Sequence, residues 1–254
     1  MHRTLAMIVL TVLAGYAAAC LLLFVAQRSF IYFPPQSASV PAPRTSTLAV
    51  PGAQVVVSER PRQGNRALIY LGGNAEDVSA SLPLLDSAFP GHALYLLHYR
   101  GYAGSSGKPT EKALVADALA LFDRVRGEHG EIVVIGRSLG SGIAVQVAAL
   151  RPVSRLVLVT PYDSLGELAA QQFPYFPVRW LLQDKYESWR HAPQVKAPTL
   201  LIVAGQDEVI PAQSSAQLFT RFAAGVATIK VIDGAGHNGI SDSPAYVPAL
   251  QWAK

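Results

Sequence analysis

Gly136-Arg137-Ser138-Leu139-Gly140 has the spacing G-x-S-x-G, set between a strand-like run (EIVVI) and a small-residue helical run (SGIAVQVAAL). A serine on such a strand-to-helix turn exposes its Oγ, where it can attack an acyl carbon. The flanking glycines let strand and helix approach closely. A serine hydroxyl is a poor nucleophile until a base takes its proton. The base is expected to be a histidine oriented by a carboxylate, in the chain order Ser, Asp/Glu, His. Among six histidines, His237 has the expected place, in Gly234-Ala235-Gly236-His237-Asn238 directly after the last strand. His98 also ends a strand, but it precedes Ser138. For the acid, Asp207 stands in Ala204-Gly205-Gln206-Asp207-Glu208, just past the strand-like TLLIV, and Asp163 in TPYDS is the reserve. Glu208 is expected to point elsewhere from the turn, and Asp233 is too close in sequence to reach His237 easily.

Acyl transfer at Ser138 develops an oxyanion, which needs two preorganised N–H donors. One is the amide after the nucleophile, Leu139. The other is expected from the loop after ALIYL, at Gly72-Gly73-Asn74-Ala75. Asn74 is the first choice there and Ala75 the second. No cofactor is called for, and no His/Cys/Asp/Glu set has metal-ligand spacing.

These residues must be held by something rigid, and the surrounding pattern alternates strand and helix. Strands are predicted at 54–59, 67–71, 93–98, 132–135, 156–159, 200–203 and 228–232. Helices are predicted at 78–88, 111–126, 139–150, 211–222 and 244–252. The helix over 111–126 places Leu114, Ala118, Leu121, Phe122 and Val125 on one face. Apolar strands without clean alternation, separated by helices, imply an α/β fold: a doubly wound, mostly parallel sheet covered on both faces. Its site would lie at the carboxyl ends of the strands. Residues 165–191 interrupt the rhythm and read as a small helical cap over that edge. Residues 53–254 form the catalytic domain in this reading, and 29–52, rich from Pro34 to Pro51 in Pro, Ser, Thr and Ala, form an extended linker or a loop-rich entry into the domain.

The N-terminus is a different kind of sequence. From Thr4 to Ala26 no residue is charged, and about 23 residues suffice to cross a hydrocarbon core of about 30 Å. Residues 1–28 therefore read as a transmembrane anchor, with Phe30, Tyr32 and Phe33 as interfacial aromatics. Two other readings compete. Ala17-Ala18-Ala19 resembles a signal-peptide cleavage site, although the apolar run continues through Val25. Cys20, the one cysteine, suits lipid attachment, although Ala17 stands where such signals usually carry leucine.

Bulk composition narrows the rest. The chain has 254 residues, is half hydrophobic and carries only 15% charged residues. A formal net charge of +4, with no basic run, does not indicate a nucleic-acid partner. One cysteine cannot form an internal disulfide, so the fold rests on its core.

LGGNAED, YRGYAGSSG, GRSLGSGIA, TPYDSLGELA, FPYFPVRWLLQDKYES, AGQDEVIP and GHN occur in this order. Together with QRSFIYFPP they resemble the small α/β-hydrolase-domain family, which includes bacterial single-pass hydrolases and the animal α/β-hydrolase domain proteins 13 and 17. The resemblance covers nearly the whole chain from Gln27 onward. It implies the α/β-hydrolase fold, serine-hydrolase activity on an acyl ester or thioester, and a single-pass protein of a bacterial inner membrane. Two positions depart from the pattern. Gly72 replaces the histidine of the oxyanion loop, and His98 replaces an acidic residue before YRG. The anchor and the cap aromatics (Phe173, Tyr175, Phe176, Trp180) suit a lipid-like substrate, while ordinary packing of the cap accounts for those aromatics equally well. An amide or peptide hydrolase, or a silent membrane-tethered binding module, are the other functions the pattern admits.

Overall fold

The computed structural model describes residues 2–253. Among the described residues eight strands form one sheet: β1 (Arg44–Val50), β2 (Ala53–Arg60), β3 (Arg66–Leu71), β4 (Ala93–Leu97), β5 (Glu131–Arg137), β6 (Arg155–Val159), β7 (Thr199–Ala204) and β8 (Ala227–Ile232). Their order is β1-β2-β4-β3-β5-β6-β7-β8. The pairs β1/β2 and β2/β4 are antiparallel and the remaining pairs parallel. The central strands are buried on both faces, as their apolar runs require. In β3, Ala67, Ile69 and Leu71 face one core and Leu68 and Tyr70 the other, the two-residue period of a strand.

Two core layers follow. One packs α3 (Glu111–Arg126) and α4 (Leu139–Leu150) on the sheet, and the other packs α2 (Leu82–Ala88) and, from the C-terminal end, Tyr246–Leu250. Helix α3 starts where Thr110 Oγ1 accepts the Ala113 N–H at 3.1 Å, with Glu111 in its first turn and Arg124 and Arg126 in its last. Capping oxygen and terminal charges both complement the helix ends.

Part of the linker or entry segment 29–52 is regular structure. Arg44–Val50 is strand β1, joined to β2 by the two-residue turn Pro51-Gly52, with Gly52 at φ +75°. As an edge strand it buries little, so it lacks the apolar run that marks the central strands. Upstream of it, the Ala103 N–H donates to the Pro35 carbonyl, so this segment is tied to the domain. The helix expected over 78–88 divides into a 3₁₀ turn at Val78–Ser81 and α2.

The cap comprises α5 (Leu165–Gln172), α6 (Val178–Leu181) and α7 (Ser188–His191). The N-terminal helix α1 (His2–Ala26) has no buried residue and is long and apolar enough to cross a membrane. It nevertheless touches the cap. Ala19, Cys20, Leu23 and Ala26 are partly covered and Gln27 is buried, a three-and-four spacing that defines one helix face. The joint is polar. Gln27 Oε1 accepts the Gln183 N–H at 2.7 Å, Arg28 Nε donates to Asp184 Oδ2 at 2.9 Å, and Tyr32 Oη meets Asp184 Oδ2 at 3.1 Å and Tyr186 Oη at 2.8 Å. Helices α8 (Ala212–Phe219) and α9 (Tyr246–Leu250) follow β7 and β8 respectively.

Candidate active site

Ser138 sits between β5 and α4 with φ +49° and ψ −118°. This is a costly conformation for a residue with a Cβ, and the surroundings enforce it. The Ser138 N–H donates to the Val159 carbonyl, and its own carbonyl accepts Ser141 N–H and Oγ. A Cβ on Gly140 would fall on the Leu71 carbonyl and lie 2.6 Å from that of Gly72. Only glycine permits that contact between α4 and β3.

Ser138 Oγ lies 3.0 Å from His237 Nε2, and His237 Nδ1 lies 2.9 and 3.0 Å from the two Asp207 oxygens. The structure thus brings together Ser138, Asp207 and His237, from the ends of β5, β7 and β8. Burial alone would raise the Asp207 carboxyl. The bond from His237 and the N–H groups of Ile210 and Val209 outweigh burial and hold it below the usual carboxylate range. Asp163 is not in this group: it faces Arg221 at 3.6 Å. His98 is buried elsewhere, its Nε2 2.8 Å from Ser58 Oγ. Glu208 does not point away from the site as its place in the turn suggested. Its Oε2 accepts the His237 backbone N–H at 2.9 Å and so steadies the histidine loop, as does Arg137, which donates to the Asn238 carbonyl.

The loop after β3 faces Ser138, and a Cβ on Gly73 would lie 3.7 Å from that of Ser138. Several groups hold this loop. Glu76 Oε2 accepts the Gly73 N–H at 2.8 Å, while its Oε1 accepts Tyr70 Oη and Ser81 Oγ at 2.7 Å each. Tyr99 Oη donates to the Gly72 carbonyl, and Tyr102 Oη and the Phe33 N–H donate to the Asn74 carbonyl. Asn74 Nδ2 donates to the Ile31 carbonyl. Gly72 is explained by space. A Cβ there would come within 2.6 Å of Val78 Cγ1, so this loop packs Val78 where a side chain at position 72 would begin. Glu76 was missed from sequence. Its signal was an acid three residues past the Gly73 amide it receives.

A cleft of about 530 Å³ opens over Ser138, lined by Gly73, Asn74, Leu139, Tyr162 and His237 together with Phe30, Ile31 and Phe33. Among the described residues no cluster of three His, Cys, Asp or Glu is placed to hold a metal ion.

A family profile described as the alpha/beta hydrolase fold matches residues 67–184, and one described as serine aminopeptidase, S33, matches residues 180–244. An uncharacterized protein of Mycobacterium tuberculosis is 35% identical over 232 residues, covering 84% of this chain and 80% of its own. The human alpha/beta hydrolase domain-containing protein 17B is 30% identical over 194 residues, covering 72% of this chain and 64% of its own. The esterase Pf2001 of Pyrococcus furiosus superposes with a TM-score of 0.70 at 16% identity, covering 88% and 96% of the two chains. With a mostly parallel eight-stranded sheet, a strained serine at the β5–α4 turn and these matches in agreement, the chain belongs to the α/β-hydrolase family.

Proposed function

We propose that this protein is a membrane-anchored serine hydrolase that cleaves carboxylic ester or thioester bonds of acyl substrates through an acyl-enzyme. The observation that carries the reading is the unbroken hydrogen-bonded line Ser138 Oγ–His237–Asp207 beneath an open cleft. His237 Nε2 takes the Ser138 proton as Oγ bonds to the acyl carbon. Asp207 fixes the imidazole tautomer and stabilises the imidazolium. The backbone N–H groups of Leu139, at the start of α4, and Asn74 receive the oxyanion. As the intermediate collapses, the bond to the alcohol or thiol breaks and His237 protonates the leaving group. Water, deprotonated by His237, then releases the acid. The helix α1 would hold the domain on a bilayer.

Fluorophosphonate labelling of the full chain tests this, with Ser138→Ala beside the wild type. Labelling of the wild type alone is expected. No labelling of either would move the silent binding module into first place. The serine-aminopeptidase match over residues 180–244 favours an amide hydrolase as the second reading. Turnover of an aminoacyl amide exceeding that of an aryl ester would select it.

A further inference from the structure

A second cavity lies beside the catalytic cleft. It is lined by Leu23, Phe24 and Gln27 from the end of α1 and by Ala169, Phe173, Phe176 and Leu181 from the cap, among others. Gln27 apart, the lining is apolar. Phe30, Ile31 and Leu165 line both cavities, so the catalytic cleft and the groove between α1 and the cap adjoin across apolar side chains.

The depth of this groove follows from α1. With α1 in a bilayer, the polar joint at Gln27 and Arg28 would lie where water meets the apolar helix. Yet the cap also touches α1 far from the joint. Tyr16 Oη donates to the Tyr175 carbonyl at 2.8 Å, and its ring stacks on Phe176 at 5.9 Å and 7°. Tyr16 lies ten residues before Ala26, on the order of 15 Å along the helix axis. That is half of a hydrocarbon core of about 30 Å. With α1 in a bilayer, the 173–177 tip of the cap is immersed in the near leaflet. Its composition agrees, because Tyr175 is 86% exposed and Phe173 and Trp180 also face outward. Such aromatics suit a lipid surface better than water.

We infer that the groove between α1 and the cap is the acyl-chain site of the enzyme, open to the leaflet, and that it admits a single-chain acyl group directly from the membrane with the scissile carbonyl leading toward Ser138. This rests on the serine-hydrolase reading above and adds where the acyl chain is held and from which side it enters.

The test uses the full chain in detergent micelles and a series of p-nitrophenyl esters from acetyl to tetradecanoyl. For the wild type, kcat/KM should climb by up to about fourfold per added methylene, the value of one buried CH₂, and then level off when the groove is full. Ala169→Phe fills the groove from the cap, and Leu23→Trp fills it from α1, outside the domain core. Both should flatten the climb while leaving acetyl-ester turnover and fluorophosphonate labelling within about twofold of wild type. A climb retained in both variants, with labelling intact, overturns the groove as the acyl site. Absence of labelling and of acetyl-ester turnover in the wild type would instead remove the serine-hydrolase reading itself. For the leaflet, Tyr175→Trp in phosphatidylcholine vesicles should be quenched by lipids brominated along the acyl chain, beyond the quenching of the native tryptophans. No added quenching overturns the immersed cap.

Discussion

Asp207→Asn isolates what the carboxylate does. Asp207 Oδ1 accepts the N–H groups of Val209 and Ile210 at 2.9 and 2.7 Å, while Oδ2 faces His237 Nδ1 at 2.9 Å. An asparagine cannot turn its NH₂ toward two N–H donors. Its oxygen therefore takes the Oδ1 place, and its NH₂ faces Nδ1. His237 must then accept at Nδ1 and carry its proton on Nε2, 3.0 Å from Ser138 Oγ. In that tautomer it cannot take the serine proton. The same inversion in a Ser-His-Asp triad costs about 10⁴ in kcat, or about 5.4 kcal/mol of transition-state stabilisation. The fold should stand, because the two backbone bonds remain. The assay is p-nitrophenyl butyrate turnover, with thermal melting as the control for folding and Asp163→Asn beside it. Asp163→Asn should remain within a few-fold of wild type, since Asp163 pairs with Arg221 rather than with His237. A fall of less than tenfold in Asp207→Asn, or a larger fall in Asp163→Asn, refutes the assignment.

Three other outcomes are expected. Glu76→Ala releases the Gly73 N–H and should lower kcat by ten- to a hundredfold with KM little changed, because misplacement by about 1 Å can cost that much; steady-state kinetics on a short ester decide it. Gly72→Ala drives a Cβ toward Val78 and should destabilise the fold by about 1–3 kcal/mol. Val78→Ala in the same chain should recover part of the loss in chemical denaturation, and no recovery would show that the contact is not the cause. His98 is pushed below the usual histidine value by burial, with Asp77 opposing. The unfolded chain then binds the proton more readily, so this contribution is intact above an unfolded value of about 6.5 and is lost as pH falls from there through the lower folded value. His98→Gln should therefore lose less melting temperature than wild type between pH 7.5 and 5.

The central strands and the trio Ser138, Asp207 and His237 could be located from sequence because each leaves a local trace. A strand buried on both faces must be an apolar run, and the residues after β5, β7 and β8 stand at the ends of such runs. Strand β1 left no such trace, since an edge strand exposes one face and its Thr and Ser residues read like a loop. Glu76 and Glu208 were illegible for another reason. Each acts on a backbone N–H, of Gly73 and of His237, and which N–H a carboxylate reaches depends on how a loop closes rather than on residue type. The contact between Tyr16 and Phe176 joins parts of the chain 160 residues apart and has no signature in either part.

The joint at Gln27, Arg28 and Tyr32 has a metric consequence. Because it is pinned to Gln183, Asp184 and Tyr186, α1 is not a tether on a swivel but a post of fixed length. With α1 in a bilayer, Ser138 is held at one height above the lipid surface. On the proposed function, that height would set the reach of the site: a bond presented there could meet Ser138, and the same bond carried farther into solvent could not.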